Sequence, residues 1–221
     1  QMFRDGTSSG TSGLFGLKNV LEEVVLPETL TKISAYCFSG YTNLSKCVIP
    51  KSVTAIYRAA FDSVPAPFVV DLPDLTELSA SVFAGSGCVE VKDLGSITSL
   101  GDTVWLNCTS LKYAILPETL TSMSAYAFQN CTAMEYAICH AITPPTSGRD
   151  NFGGQSCIIY VPDESVEAYK STSNWNTYAN RIYPISQFEL DNEVIEFADT
   201  RVKTVLSEKI GKEDNNFTKR N

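Results

Sequence analysis

One short phrase occurs twice in this chain and marks a repeat that fills the interval between its copies. Leu-Pro-Glu-Thr-Leu-Thr stands at 26–31 and, 90 residues later, at 116–121. An aromatic residue closes each unit, at steps of 23, 22, 22 and 23 residues: Phe38, Phe61, Phe83, Trp105 and Phe128. A fixed period of about 20–50 residues is typical of solenoids and other repeat arrays.

Two aliphatic side chains recur at fixed distances before each aromatic. Eight residues before it stand Leu30, Val53, Leu75, Ile97 and Leu120, and five before it stand Ile33, Ile56, Leu78, Leu100 and Met123. Alternating stretches such as 21–26 predict half-buried strands, and the proline after most of them ends the ladder because it has no N–H. A unit this short cannot bury its own apolar face, so we predict that the units stack as coils.

The repeat resembles the BspA-like, or Treponema pallidum-type, leucine-rich repeat. The pattern leucine-x-x-leucine-x-leucine-proline, then x-x-leucine-x-x-isoleucine, a small residue and phenylalanine, covers Leu17 to about Ala133. The segments 143–145, 159–162 and 166–170, followed by Trp175, resemble the C-terminal cap of that family. The resemblance implies a mostly β fold with short helices, a leucine-rich-repeat solenoid of 22–23-residue coils with a C-terminal cap and a strand-lined concave face. It also implies a secreted or surface-attached protein of anaerobic bacteria such as the gut Bacteroides group.

These patterns divide the chain into four parts. Residues 1–16 read as the end of a partial repeat with a Gly/Ser loop, 17–133 as the array and 134–186 as the capping module. Residues 187–221 read as an extra segment with a short strand and a helix near 200–209. In the family we expect such a segment before an array, so either a second array follows or the chain joins pieces of a larger protein. We also expect the natural N-terminus to lie upstream, so the absence of a signal says nothing about export.

Within the capping module we predict a last strand at Cys157–Val161 and a short helix through about Lys170. Asp163 is predicted to cap that helix with a side-chain oxygen. Trp175 and Tyr178 are predicted to fold back over the open end of the core, because an uncapped solenoid end is an exposed apolar surface.

Bulk composition excludes some classes of function. The formal net charge of −8 disfavours nucleic acid, which needs clustered Lys and Arg. No apolar run approaches the roughly 18 residues of a membrane span. The seven cysteines include no C-x-x-C pair, so zinc is not expected. Cys108 and Cys131 occupy equivalent positions in neighbouring coils, and they form either a disulfide or a ladder of small buried thiols.

The sequence carries no pattern that points to catalysis, a metal or a cofactor. It has one histidine, His140, and lacks the motifs of serine hydrolases and phosphate-binding loops. The run 211–216 lacks the Asp residues of a calcium loop. Asn107-Cys108-Thr109 and Asn130-Cys131-Thr132 match glycosylation acceptors, but we interpret them as the turn of the repeat.

The remaining candidate for a functional surface is the outward side of the predicted strands. One outward column is predicted to run Val25, Val48, Asp71, Asp93, Ile115 and Ile138, and the other Glu23, Lys46, Val69, Val91, Tyr113 and Tyr136, with the fourth-coil register open by one residue. The densest apolar patch is expected near the cap, at Lys112, Tyr113, Ile115, Glu135, Tyr136 and Ile138. Apolar outward residues indicate either a binding surface or β-propensity alone.

These observations favour a non-catalytic binding solenoid on or outside a bacterial cell. Its partner would be a protein or a glycan on host or neighbouring cells, as the resemblance to adhesion-type proteins implies. The alternative is an architectural spacer without a ligand of its own.

Overall fold

The computed structural model describes the backbone of residues 18–192 and the side chains of residues 18–188. The Gly/Ser loop within 1–16, the predicted strand and helix of 194–209 and the run 211–216 lie outside these described residues. The four-part division of the chain therefore stays a prediction.

Within residues 18–192, eight strands of three or four residues each form the broad side of the solenoid. They are parallel, and each comes from the next coil along the chain. Their bounds are β1 Glu23–Val25, β3 Lys46–Val48, β5 Val69–Asp71, β7 Glu90–Asp93, β9 Tyr113–Leu116, β11 Tyr136–Cys139, β13 Ile158–Val161 and β14 Ile182–Pro184. The outward side of these strands is called the strand face below, and it is the face that the family resemblance implies to be concave.

The ladder of long strands is divided once. β1 pairs only with β3 among the described strands. A continuous six-stranded sheet contains β5, β7, β9, β11, β13 and β14 in that order. Pro65 and Pro67 lie just before β5, and neither has an N–H to donate. Lys51 and Asp71 bridge the division, with Nζ and Oδ2 2.7 Å apart.

Six two-residue strands form the other side of the coils. β2 Lys32–Ile33, β4 Ala55–Ile56 and β6 Glu77–Leu78 form one sheet, and β8 Ser99–Leu100, β10 Ser122–Met123 and β12 Thr146–Ser147 form another. Their second residues point into the core, as the aliphatic column predicts, except that Ser147 replaces the aliphatic in the last coil.

An aromatic stack runs through the core, and it is longer than the five-member column predicted from the sequence. Phe38, Phe61, Phe83, Trp105, Phe128 and also Phe152 are buried, with successive ring centroids 4.9–5.9 Å apart. Neighbouring planes lie within 13° of parallel. The mostly β solenoid of about 22–23-residue coils is thereby confirmed, and the repeat extends one coil into the predicted capping module.

The asparagines of the two glycosylation-like triplets serve the turn, as predicted. Asn107 and Asn130 have φ of 61° and 59°, a left-handed conformation that Asn tolerates better than most residues. Asn130 Nδ2 donates to Asn107 Oδ1 at 2.9 Å, so the two side chains also link adjacent coils.

The cysteines of the same triplets form the buried ladder and not the disulfide. Both thiols are free and fully buried. Cys108 Sγ donates to the carbonyl oxygen of Phe83 at 2.9 Å, and Cys131 Sγ donates to that of Trp105 at 3.1 Å. Each thiol therefore donates to a carbonyl in the aromatic turn of a neighbouring coil.

The cap closes the last coil with aromatic side chains. A 3-10 turn at Asp163–Ser165 leads into α1 (Val166–Ser171), and a second 3-10 stretch covers Asn176–Arg181. Trp175 and Tyr178 are buried, and their rings lie 6.0 Å and 5.7 Å from that of Phe152. Trp175 Nε1 donates to the carbonyl oxygen of Pro145 at 2.8 Å. These two aromatics cover the end of the core, as the sequence predicts.

The predicted capping role of Asp163 is wrong. Neither the 3-10 turn nor α1 has a side-chain cap hydrogen bond. Instead, Asp163 Oδ1 accepts a hydrogen bond from the backbone N–H of Ser186, 3.1 Å away. Ser186 is the second residue of another helix, α2 (Ile185–Asn192), so the carboxylate serves the first turn of α2. The hydrogen bonds from Ser186 hold the pKa of Asp163 below its ordinary value.

Candidate functional site: the strand face

Two columns of side chains project from the strand face, on either side of a buried central column. Glu23 pairs with Lys46, Val69 with Glu90, Glu90 with Tyr113, Tyr113 with Tyr136 and Tyr136 with Ile158. Val25 pairs with Val48, Asp71 with Asp93, Ile115 with Ile138 and Ile138 with Tyr160.

The fourth coil corrects the predicted register. Val91 is fully buried and pairs with Val70 and Ala114 in the central column, so it does not project from the strand face. Glu90 takes the outward place. The pairing shifts between Val70 and Asp71, where one extra residue of β7 is accommodated as a bulge. A bulge changes the alternation of side chains, which is why simple counting misplaces one residue here.

The N-terminal end of the strand face is an open aliphatic surface. The exposed fractions are 85% for Val25 and 73% for Val48, and Val69 is also exposed. Val25 and Val48 are cross-strand neighbours in the β1–β3 ladder. Large apolar side chains that stand next to each other in water are more informative than scattered ones, because such patches often mark interaction sites.

Ion pairs border this aliphatic surface. Glu23 Oε1 lies 2.6 Å from Lys46 Nζ across the first two strands, and Glu90 Oε2 lies 2.9 Å from Lys92 Nζ. The hydrogen bond from Lys92 is the main cause that lowers the pKa of Glu90. Exposed pairs of this kind contribute little to stability. They do leave the strand face with charges of both signs, which suits a polar rim around an apolar contact.

The two tyrosines singled out from the sequence stack on each other. The rings of Tyr113 and Tyr136 are 5.3 Å apart and within 4° of parallel. The hydroxyl of Tyr113 donates to Glu90 Oε2 at 3.1 Å. Partial burial, reinforced by Glu90, raises the pKa of Tyr113 to about 12, and partial burial is also the main cause of the raised pKa of Tyr136. Both hydroxyls therefore stay protonated at neutral pH and act as neutral hydrogen-bonding groups.

Part of the C-terminal end of the strand face is covered by α2. The ring of Phe188 in α2 lies 4.8 Å from that of Tyr136 and 5.0 Å from that of Tyr160. Ile138 and Tyr160 have exposed fractions of only 6% and 5%. Ile138 was expected to face a ligand, but in this structure it is buried.

The other predicted positions lie where the repeat places them. Lys112 and Glu135 are exposed and directly precede β9 and β11, and Ile115 is half-buried. The structure thus brings the predicted residues onto one face, although the densest patch is partly covered and the most open one lies at β1 and β3. Sequence reasoning missed Glu90, Ile158, Tyr160, Tyr183 and Phe188. The segment Cys157–Val161 was predicted to be a strand, but its outward residues were not assigned to the face.

We also searched the described part of the chain for metal sites, grooves and membrane-spanning helices. No group of three His, Cys, Asp or Glu side chains there is arranged to hold a metal ion. A groove of about 360 Å³ lies beside β6, β8 and β10, lined mostly by small residues such as Ser79, Gly101 and Ser124. None of the helices within 18–192 is long and apolar enough to cross a membrane.

Comparison with known proteins agrees with this architecture. No curated protein matches the chain. A leucine-rich repeat protein from Eubacterium ventriosum is similar in fold, with a TM-score of 0.50, 15% identity, and coverage of 62% of this chain and 44% of that one. Another, from Bacteroides ovatus, matches with a TM-score of 0.34, 17% identity, and coverage of 74% and 60%. This chain thus spans less than two thirds of either solved structure.

The repeat itself is what assigns the family. The model of the BspA-type leucine-rich repeat region matches residues 11–135 in six copies, which is more than half of the chain. The matched range contains the aromatic stack from Phe38 to Phe128 and the strands β1 to β10. The chain belongs to the BspA-type leucine-rich repeat family.

Proposed function

We propose that this protein is a non-catalytic binding protein whose strand face holds a protein partner. The observation that carries the proposal is the open pair Val25 and Val48, which leaves two aliphatic side chains side by side in water. Burying them against a partner would be favourable by about 25 cal/mol for each Å² removed from water. β-propensity explains Val at these positions but does not explain why the surface remains uncovered.

The geometry favours a protein over a glycan. Sugars are commonly held against an aromatic ring whose face is open to solvent. Here the faces of Tyr113 and Tyr136 are turned toward each other, and Phe188 packs on Tyr136 as well. Aliphatic side chains bordered by the Glu23–Lys46 pair form an apolar centre with a charged rim, which is the usual anatomy of a protein interface.

The proposed place of action is the surface or the exterior of a bacterium. Proteins with this repeat are typically surface-exposed or secreted in bacteria, and repeat solenoids of this kind are generally not enzymes. We therefore propose an adhesion-type role, in which the strand face contacts a protein on a host or neighbouring cell.

Substitution of the two open valines tests the proposal. Val25→Asp combined with Val48→Asp places charge at the centre of the interface without touching the core. The matched control is Ile142→Asp, because Ile142 is also an exposed aliphatic, at 64%, and lies outside the long strands. Binding to immobilised host matrix proteins and to cell-surface extracts is then compared across the three proteins.

The proposal predicts that the valine variant loses binding and that the Ile142→Asp control retains it. Unfolding curves must superimpose for both. If wild type binds no extract, or if the valine variant binds as well as wild type, the strand face is not the binding surface. An architectural spacer would then be the better description of the protein.

A further inference from the structure

We propose that α2 is an internal occupant of the strand face, and that it covers a site for an aromatic side chain of the partner. The inference rests on the proposed function, because it concerns the part of the strand face from which a bound partner would displace α2. It is carried by the placement of Phe188 over Tyr136 and Tyr160.

Phe188 packs against outward residues of two adjacent strands. Tyr136 lies in β11 and Tyr160 lies in β13, which pairs with β11. The Phe188 ring is tilted by 50° to Tyr136 and by 62° to Tyr160, so it meets one ring obliquely and the other nearly edge-on. Such tilted contacts are favoured between aromatic rings.

Tyr160, which contacts Phe188, is shielded from solvent. Tyr160 is 5% exposed, whereas its ladder neighbour Tyr183 is 43% exposed. Both tyrosines project from the same side of the sheet. Tyr160 lies between two paired strands and contacts Phe188, whereas Tyr183 lies on the edge strand of the sheet.

The described part of α2 is held against the solenoid through its first turns. It follows β14 directly, Asp163 accepts a hydrogen bond from Ser186, and Phe188 packs on Tyr136 and Tyr160. Most helical stability in proteins comes from such packing, so α2 depends on these contacts. A partner that offers an aromatic group with a larger surrounding interface can therefore displace it.

The occupant also indicates the chemistry of the partner. A site that accepts a phenylalanine side chain against two tyrosine rings suits Phe, Tyr or Trp on a protein segment. With α2 displaced, this aromatic site and the open valines of β1 and β3 would form the two ends of one binding face.

Tyrosine nitration tests the occupancy without any partner. Full-length wild type, Phe188→Ala and Phe188→Asp are nitrated with tetranitromethane, and the modified residues are identified by mass spectrometry. Tyr183, which is exposed, and Tyr169, which is buried in the cap, serve as internal controls. We expect nitration of Tyr160 to rise severalfold in both variants, toward the rate of Tyr183, while Tyr169 stays protected. Unchanged protection of Tyr160 in both variants would overturn the proposal.

A synthetic peptide of residues 185–192 tests whether the uncovered site recognises an aromatic segment. A directly linked segment has an effective concentration in the millimolar range, so the peptide is added to the Phe188→Asp protein at millimolar concentration. We expect it to restore the protection of Tyr160, and a peptide with Asp in place of Phe to have no effect. No protection by either peptide would overturn the assignment of an aromatic site.

The two proposals fail in distinguishable ways. If the valine variant binds extracts as well as wild type, the proposed function fails whatever the nitration result. If valine substitution abolishes binding but Tyr160 stays protected in both Phe188 variants, only the role of α2 fails.

Discussion

The thiol of Cys131 donates a hydrogen bond to the backbone carbonyl oxygen of Trp105, at 3.1 Å. Cys108 makes the same contact with Phe83 at 2.9 Å. Each of these carbonyls also accepts a backbone hydrogen bond within its own turn, so the thiol adds a second hydrogen bond that links neighbouring coils. This arrangement requires protonated thiols, since only the S–H can donate.

We predict that the buried cysteines do not react in the folded protein. Burial raises the pKa of Cys108 to about 11, so hardly any thiolate is present at neutral pH, and the thiolate is the reactive form. A disulfide reagent such as DTNB should label Cys108 and Cys131 slowly in native buffer, and all seven cysteines should react in denaturant. Rapid native labelling of Cys108 or Cys131 would contradict the buried ladder.

Stability should fall at alkaline pH for the same reason. Burial raises the pKa of Cys47 from the ordinary value of 9.0 to about 12. A folded-state pKa above the unfolded one means that the stabilisation is complete below pH 9 and is lost as the pH rises toward 12. Urea unfolding midpoints should therefore decrease between pH 9 and pH 11. A midpoint that stays constant over this interval would show that thiol burial does not contribute.

Alanine substitutions at two glycines distinguish the cost of a steric clash from the cost of backbone strain. Gly95 and Gly85 both have positive φ, at 57° and 62°. A Cβ on Gly95 would collide with the backbone of Leu75, whereas one on Gly85 would come no closer than 3.6 Å to Ser63 Oγ. We expect Gly85→Ala to cost about 1–2 kcal/mol, the usual penalty of a left-handed residue. Gly95→Ala should cost clearly more, as measured by denaturant unfolding, and equal losses would contradict the steric argument.

The cap should be essential for keeping the last coil folded. Trp175 is buried, packs against Phe152 and Tyr169, and donates to the carbonyl oxygen of Pro145. Trp175→Ala should destabilise the protein by about 3–5 kcal/mol and expose the end of the aromatic stack. Differential scanning calorimetry and light scattering would show a lower melting temperature together with aggregation. A variant that melts and scatters like wild type would show that the cap is dispensable.

The sequence predicted the repeated part of the fold because one residue type recurs at each core position. The sixth aromatic, Phe152, was not predicted because the unit that it closes has Pro144 and Ser147 where the other units carry aliphatic residues. Ser147 nevertheless pairs with Met123 in the short-strand ladder. One irregular unit is therefore held in register by its neighbours, and this information is not contained in its own residues.

The candidate site was predicted less completely than the fold. The alternation identified most outward positions, but the bulge in β7 moved Glu90 outward and Val91 inward, and a period of two cannot show this. Ile138 is buried next to its strand partner Tyr160, and Phe188, from a segment without the repeat pattern, packs on Tyr160. Long-range covering of this kind follows from tertiary packing, which periodicity does not encode.

Site-specific photo-cross-linking tests the central claim most directly, because it shows which face a partner touches. Benzoylphenylalanine is introduced at Val48 on the strand face and, as a control, at Tyr36, which is exposed but lies outside the long strands. Each protein is irradiated with the host matrix proteins and cell-surface extracts used in the binding assay. Our account predicts a cross-linked protein partner from position 48 and none from position 36. Cross-links from position 36 alone, or from neither position, would contradict a binding role for the strand face.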